Sequence, residues 1–293
     1  MNSPYRGRLA PSPTGYLHLG HARSFWTAYQ RSLQHRGTLV MRNEDLDPQR
    51  SQPEYAAAMP EDLRWLGIEW SEGLDVGGPF GPYLQSQRRE LYLAAWKSLL
   101  DGGWIYPCSC SRKDLASATQ APHEGVPDLD GEPLYPGTCR NKPLAERYAS
   151  PVGMNWRFRV PEGETIAFHD AAQGGQKFTA GVDFGDFVVW RRDDIPAYQL
   201  AVVVDDDAMR ITEVVRGEDL LLSTARQILL MRGLDLQPPA WFHCGLVRDQ
   251  QGNRLAKRND ALSLRALRAG GISAEEVRQM CEQPNLPKTI PMG

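Results

Sequence analysis

The chain has 293 residues, 41% apolar and 24% charged, with a formal net charge of −3. That is enough for one or two globular domains. It has no apolar run of bilayer-spanning length and no apolar segment in the opening MNSPYRGRLAPS of the kind a secretory signal needs. The charge is unlike the strongly basic balance of a protein that coats nucleic acid, but it neither supports nor excludes a nucleic-acid partner. Five cysteines without dense disulfide spacing fit a reducing cytoplasm, where clustered thiols serve as metal ligands more often than as disulfides.

In chain order, residues 5–10 read as a short strand broken by Pro11 and Pro13. From His18 to Arg36 apolar residues recur at three- and four-residue steps, which predicts a helix stopping at Gly37. TLVMR (38–42) predicts a second strand, leading into the loop NEDLDP. This is the opening of a βαβ unit with a parallel sheet. Helices are predicted over 54–66, interrupted at Pro60, and over 87–101, ended by Gly102 and Gly103. Residues 104–180 are rich in Pro, Gly and Cys and read as an inserted, partly β domain. The apolar run in AYQLAVVVDDD predicts a buried strand. RITEVVRGEDL reads as strand, turn and the start of a helix reaching about Met231, and FHCGLV as another strand. Ser273 and Glu276 form a capping-box pattern for a helix over 274–282. The basic pairs Arg88-Arg89, Arg157 with Arg159, and Arg191-Arg192 read as solvated faces.

The expected organisation is a parallel α/β domain in two halves, 1–103 and 181–260, split by the insert 104–180 and followed by a short helical extension, 261–293. Ligands of such folds sit at the carboxyl ends of the strands, where strand order reverses. That directs attention to the loops 11–21, 43–48, 205–207, 216–219 and 250–259.

The first of these runs into His18-Leu19-Gly20-His21. Unpaired N–H groups and partial positive charge at a helix start suit phosphate. Gly15 and Gly20 permit close approach of a ligand, and imidazoles at i and i+3 share a face. In isolation the same residues read as a helix start with two solvated histidines. The late loop carries Arg254-Leu255-Ala256-Lys257-Arg258, whose lysine would reach a triphosphate held at the early helix.

Together these segments resemble the HIGH and KMSKS signatures of class I aminoacyl-tRNA synthetases, the second loosely, with Arg254 and Ala256 at the first lysine and serine positions. RLAPSPTGYLHLGHAR, MRNEDLDPQRS and YQLAVVVDDDAMRITEVVRGEDLLLST are similar to glutamyl-tRNA synthetases over nearly all of 5–260. Glutamyl-tRNA synthetases carry a helical anticodon-binding region after the lysine loop, whereas this chain runs on from Arg258 to Gly293. It therefore resembles the short paralogue family, the glutamyl-queuosine tRNA(Asp) synthetases. The fold so implied is a Rossmann-like parallel sheet with an inserted small zinc-bearing α+β domain, a short helical C-terminal extension and no anticodon-binding domain. The activity implied is ATP-dependent, tRNA-independent activation of L-glutamate, with transfer to the queuosine base at the wobble position of tRNA(Asp). No membrane and no obligate protein partner are implied.

By the same resemblance His18, Gly20, His21, Arg254 and Lys257 hold ATP, with Mg²⁺ accompanying the nucleotide, and His18, His21 and Lys257 are catalytic. Arg8 and Arg216 take the carboxylates of glutamate, Glu44 its ammonium, and Tyr198, Ser12 and the backbone of Ala10 complete the pocket. Cys108, Cys110 and Cys139 suggest structural Zn²⁺; the family spacing makes Tyr135 the fourth ligand, with His123 the chemical rival and a metal-free thiol loop the alternative reading. Cys244 and Cys281 read as structural. Two rival functions stay open: a compact glutamyl-tRNA synthetase acting at a tRNA 3′ end, and a non-catalytic RNA- or nucleotide-binding relative.

Overall fold

The computed structural model describes residues 4–111, 134–142, 148–247 and 262–283. In chain order they form β1 (Arg6–Leu9), α1 (Leu19–Gln34), β2 (Thr38–Met41), α2 (Pro53–Trp65), β3 (Glu72–Gly73), α3 (Arg89–Asp101) and β4 (Ile105–Cys108). Then come β5 (Asn155–Phe158), β6 (Thr165–Asp170), β7 (Gly174–Thr179), β8 (Val188–Trp190) and α4 (Tyr198–Ala208). The chain continues through β9 (Glu213–Gly217), α5 (Leu221–Gly233), β10 (Ala240–Cys244), α6 (Leu264–Ala269) and α7 (Ala274–Glu282). These elements fall into two compact units. The first comprises Met1–Gln87, Arg210–Glu218 and Pro239–Gly293, the second Arg88–Met209 and Asp219–Pro238.

In the first unit β1, β2 and β3 pair in parallel in that order, and β9 pairs in parallel with β10. Thr212 lies just before β9. Its N–H donates to the Arg6 carbonyl at 2.9 Å, and its hydroxyl accepts from the Arg6 N–H at 2.8 Å. This places β9 on the edge of β1 away from β2. The chain thus winds from β1 to β3 on one side and adds β9 and β10 on the other, so the carboxyl end of β1 is a topological switch point. Helix α1 buries Leu19, Ala22, Phe25 and Ala28, one stripe at helical spacing. They share a core with Leu9, Met59, Leu63, Val215, Leu264 and Val277. The box expected at Ser273 and Glu276 is present at the start of α7.

In the second unit β5 pairs antiparallel with β4 and β8, and β6 with β7 forms a hairpin. The apolar run expected to be a strand is helix α4, which buries Leu200, Ala201, Val202, Val203, Asp205 and Asp206. A helix buried on most of its circumference has the same continuous apolar run as a buried strand, so periodicity does not separate them. The expected polar loop at 205–207 is therefore helical. Asp205 is fully buried there, bonded to Arg88 Nε at 2.6 Å and to the Tyr92 hydroxyl at 2.9 Å. Arg88 and Arg157 are buried rather than solvated.

Two further expectations change. Helix α2 runs through Pro60 without a break. Helix α1 ends one turn before Gly37, and it is Arg36, at φ 50°, that takes the left-handed turn.

Candidate functional site

The carboxyl ends of β1, β2 and β9, with the start of α1, carry Arg8, Ala10, Ser12, His18, Gly20, His21, Glu44 and Arg216. His18 is the N-cap of α1. Its Nδ1 accepts from Gly20 N–H at 3.1 Å, while His21 Nδ1 accepts from His18 N–H at 3.3 Å. This is a capping box built from two imidazoles, which stack with centroids 3.8 Å apart. The first turn of α1 has no acidic residue, so its partial positive charge is not offset locally.

Arg254 and Lys257 lie outside the described residues, but both flanks of their segment are visible. Ser263 forms an antiparallel bridge with His18, and Leu264 N–H donates to the Leu17 carbonyl at 2.7 Å. On the other flank, Arg23 in α1 donates to the carbonyls of Gly245 and Leu246 at 3.1 and 3.3 Å. Arg23 also reaches the carbonyls of Met280 and Gln283. The described residues on either side of 248–261 therefore lie beside the first turns of α1.

Arg8, on β1, is buried and donates to the Val215 carbonyl at 2.9 Å, which puts it next to Arg216 on β9. Arg216 is also buried; its Nε–H donates to His243 Nε2 at 3.1 Å, and its guanidinium stands 5.3 Å over the Trp241 ring. Beyond β2 the chain stays alongside the β1 loop. Arg42 N–H donates to Leu9 O at 2.9 Å and Glu44 N–H to Pro11 O at 3.0 Å. Glu44 is thus set beside the 10–12 segment that carries Ala10 and Ser12. Its carboxylate accepts from Arg42 Nη2 at 2.9 Å, and Arg42 is fully buried. Two arginines, one carboxylate and the HLGH turn therefore share one end of the first unit. Tyr198 belongs to the second unit, where it is the exposed first residue of α4.

The cysteine cluster is contained in the second unit. The Sγ atoms of Cys108, Cys110 and Cys139 all lie within 4.8 Å of one another, those of Cys110 and Cys139 at 3.7 Å. The Tyr135 hydroxyl is 3.4 Å from Cys108 Sγ and 3.6 Å from Cys110 Sγ, and it accepts from Cys139 N–H at 2.9 Å. Tetrahedral zinc with Zn–S near ~2.3 Å and Zn–O near ~2.0 Å needs donor separations of roughly 3.5–3.8 Å; the Cys110–Cys139, Tyr135–Cys108 and Tyr135–Cys110 separations are close to this, so the cluster is compatible with the ion. Burial pushes the Cys139 thiol up, but hydrogen bonds from Tyr135 and Ser109 outweigh it and bring the thiol down to about 6. Such a group is a thiolate at neutral pH, the form that binds metal. His123 lies outside the described residues. All five cysteines are free thiols, and Cys244 and Cys281 are buried in the first unit. No helix among the described residues is long and apolar enough to cross a membrane.

Three residues at the site were not among those read from the sequence: Arg42, His243 and Arg23. Arg42 is the first residue of the RNED motif and its charge was visible. His243 sits in an apolar strand and reads as a core residue; only the parallel register reveals its partner.

A parallel sheet with a switch point, an HLGH turn capping the first helix and a late segment anchored to that turn define a class I synthetase catalytic domain. The family model for class I tRNA synthetases (E and Q), catalytic domain, matches residues 5–283, and the chain belongs to this family. It is 48% identical over 273 residues to a glutamyl-Q tRNA(Asp) synthetase of Nitratidesulfovibrio vulgaris, covering 93% of this chain and 83% of that one. It is 41% identical to a glutamate–tRNA ligase of Sulfurihydrogenibium sp., covering 93% of this chain and 56% of that one. Among solved structures, a glutamate tRNA ligase from Elizabethkingia meningosepticum in complex with its amino acid matches with a TM-score of 0.75 and 28% identity. That match covers 87% of this chain and 52% of the other.

Proposed function

We propose that the chain activates L-glutamate with ATP, without tRNA, and transfers the glutamyl group to the queuosine base at the wobble position of tRNA(Asp). The observation that carries the activation step is the His18–Ser263 bridge, which seats one flank of the lysine-bearing segment against the HLGH turn. The higher identity to the glutamyl-Q relative, 48% against 41%, supports the acceptor.

In the first step a glutamate carboxylate oxygen attacks the α-phosphorus of ATP, the bond to the bridging oxygen breaks, and pyrophosphate leaves. Charge grows on the phosphoryl oxygens, so the step calls for positioned donors and positive charge rather than a strong base. His18, His21 and the N–H groups at the start of α1 hold the phosphates. Gly20 lets the His18 ring fold against that turn. Lys257, assisted by Arg254, neutralises the leaving pyrophosphate. Mg²⁺ brought in with the nucleotide would screen its charge. Arg8 and Arg216 grip the carboxylates of glutamate in bidentate fashion. Glu44, held by Arg42, takes the ammonium, and Ser12 and the Ala10 backbone complete the part of the pocket that the first unit carries. Cys108, Cys110, Cys139 and Tyr135 would hold a structural Zn²⁺. In the domain organisation we adopt, 1–103 and 181–260 form the catalytic domain, 104–180 the acceptor-binding insert and 261–293 a helical extension. The free thiols fit a cytoplasmic enzyme.

Radiolabelled glutamate supplied with ATP is expected to enter tRNA(Asp) carrying queuosine and not the same tRNA lacking it. Label on the 3′ end of a tRNA, with none on queuosine, would instead identify a glutamyl-tRNA synthetase.

A further inference from the structure

His243 is wholly buried and stands opposite Arg216 in the register of the β9–β10 pair. Neighbours in register on parallel strands face the same side of a sheet. The bond between them runs from Arg216 Nε–H to His243 Nε2 at 3.1 Å. A guanidinium has no acceptor, so Nε2 must offer its lone pair and the ring hydrogen sits on Nδ1. The imidazole is therefore neutral. Two residues earlier on β10, the Trp241 ring lies 25° from the plane of His243 and also underlies the Arg216 guanidinium.

We infer that His243 is a positioning residue for glutamate recognition, acting through Arg216. An arginine side chain has many rotamers, and a carboxylate is gripped well only when the planar fork points at it. Fixing Nε with a neutral acceptor, and one face with an indole, sets the plane and direction of the edge that carries the two Nη atoms. A protonated imidazole or an apolar side chain at 243 removes that acceptor and loosens the fork. The inference rests on Arg216 as a glutamate ligand.

The test is steady-state glutamate-dependent pyrophosphate exchange by His243→Leu and His243→Gln. Gln carries an amide oxygen near the place of Nε2; Leu fills the space without an acceptor. His243→Leu is expected to raise the glutamate KM about tenfold or more, with the ATP KM and the saturated rate within about threefold of the parent. His243→Gln is expected to restore the glutamate KM to within about threefold. An unchanged glutamate KM in His243→Leu, or equal damage in both variants, overturns the role. Should His243→Leu not fold, His243→Asn replaces it, because its shorter amide falls short of Arg216. If the parent shows no glutamate-dependent exchange, the proposed function fails, and the positioning claim is read from crystal structures instead. An Arg216 side chain displaced in His243→Leu and held in His243→Gln supports it; one unmoved in both overturns it.

Discussion

A methyl group on Gly20 would sit 3.0 Å from Cε1 and 3.1 Å from Nδ1 of the His18 ring. A side chain here would therefore press the imidazole cap away from the first turn of α1 by a few tenths of an ångström. Gly20→Ala separates folding from chemistry, because alanine raises helix propensity by up to ~1 kcal/mol while displacing the ring. The expected result is a melting temperature unchanged or raised and an exchange rate lowered ten- to a hundred-fold; full activity would remove the role given to His18. At the cysteine cluster, protein purified without chelator is expected to carry about one zinc per chain by elemental analysis. Cys110→Ser is expected to lose it, and a parent free of zinc would contradict the site. Residues of this kind were legible because they announce chemistry by type and spacing, as in HLGH, RNED and the CxC pair. His243 was not, because its partner is a neighbour in the sheet and not in the chain.

Elements were legible where amphipathic spacing was one-sided. Helix α1 shows a stripe at three- and four-residue steps, and its predicted first residue, His18, is the observed N-cap. Helix α4 was misread because it is buried on most of its circumference, and an apolar run such as LAVVV then looks like a buried strand. The Asp residues that follow it read as a polar loop, although Asp205 is buried against Arg88 and Tyr92. In the parallel sheet of the first unit, Arg6 on β1 grips Glu72 on β3 across the intervening β2, with two bonds of 2.7 and 2.8 Å. That hydrogen bonding, opposed in part by burial and reinforced by charge, holds the Glu72 carboxyl below its ordinary range. A depressed carboxylate pKa stabilises the folded state above the unfolded-chain value, and the contribution is lost as pH falls through the folded value. Glu72→Gln is therefore expected to cost about 1–3 kcal/mol at pH 7. In denaturant titrations the gap to the parent is expected to narrow as pH falls below the carboxylate range; a gap that widens in acid would contradict the pairing.

At the scale of the whole chain, the parallel class of the first unit followed from the strand–helix–strand opening. The winding on both sides of β1 did not, because which strand neighbours which depends on long-range pairing. In the proposed reaction distant parts of the sequence meet at the start of α1, and Lys257 is the residue proposed to act there. Lys257→Ala is expected to lower the exchange rate at least a hundredfold while ATP binding weakens less, since its charge matters most as pyrophosphate departs. Unchanged exchange in that variant would remove the lysine from the reaction. The most direct measurement of the central claim is ATP–pyrophosphate exchange by the unmodified protein with L-glutamate and no tRNA. Exchange that requires glutamate and proceeds without tRNA is the predicted result; no exchange, or exchange that begins only when tRNA is added, would contradict it.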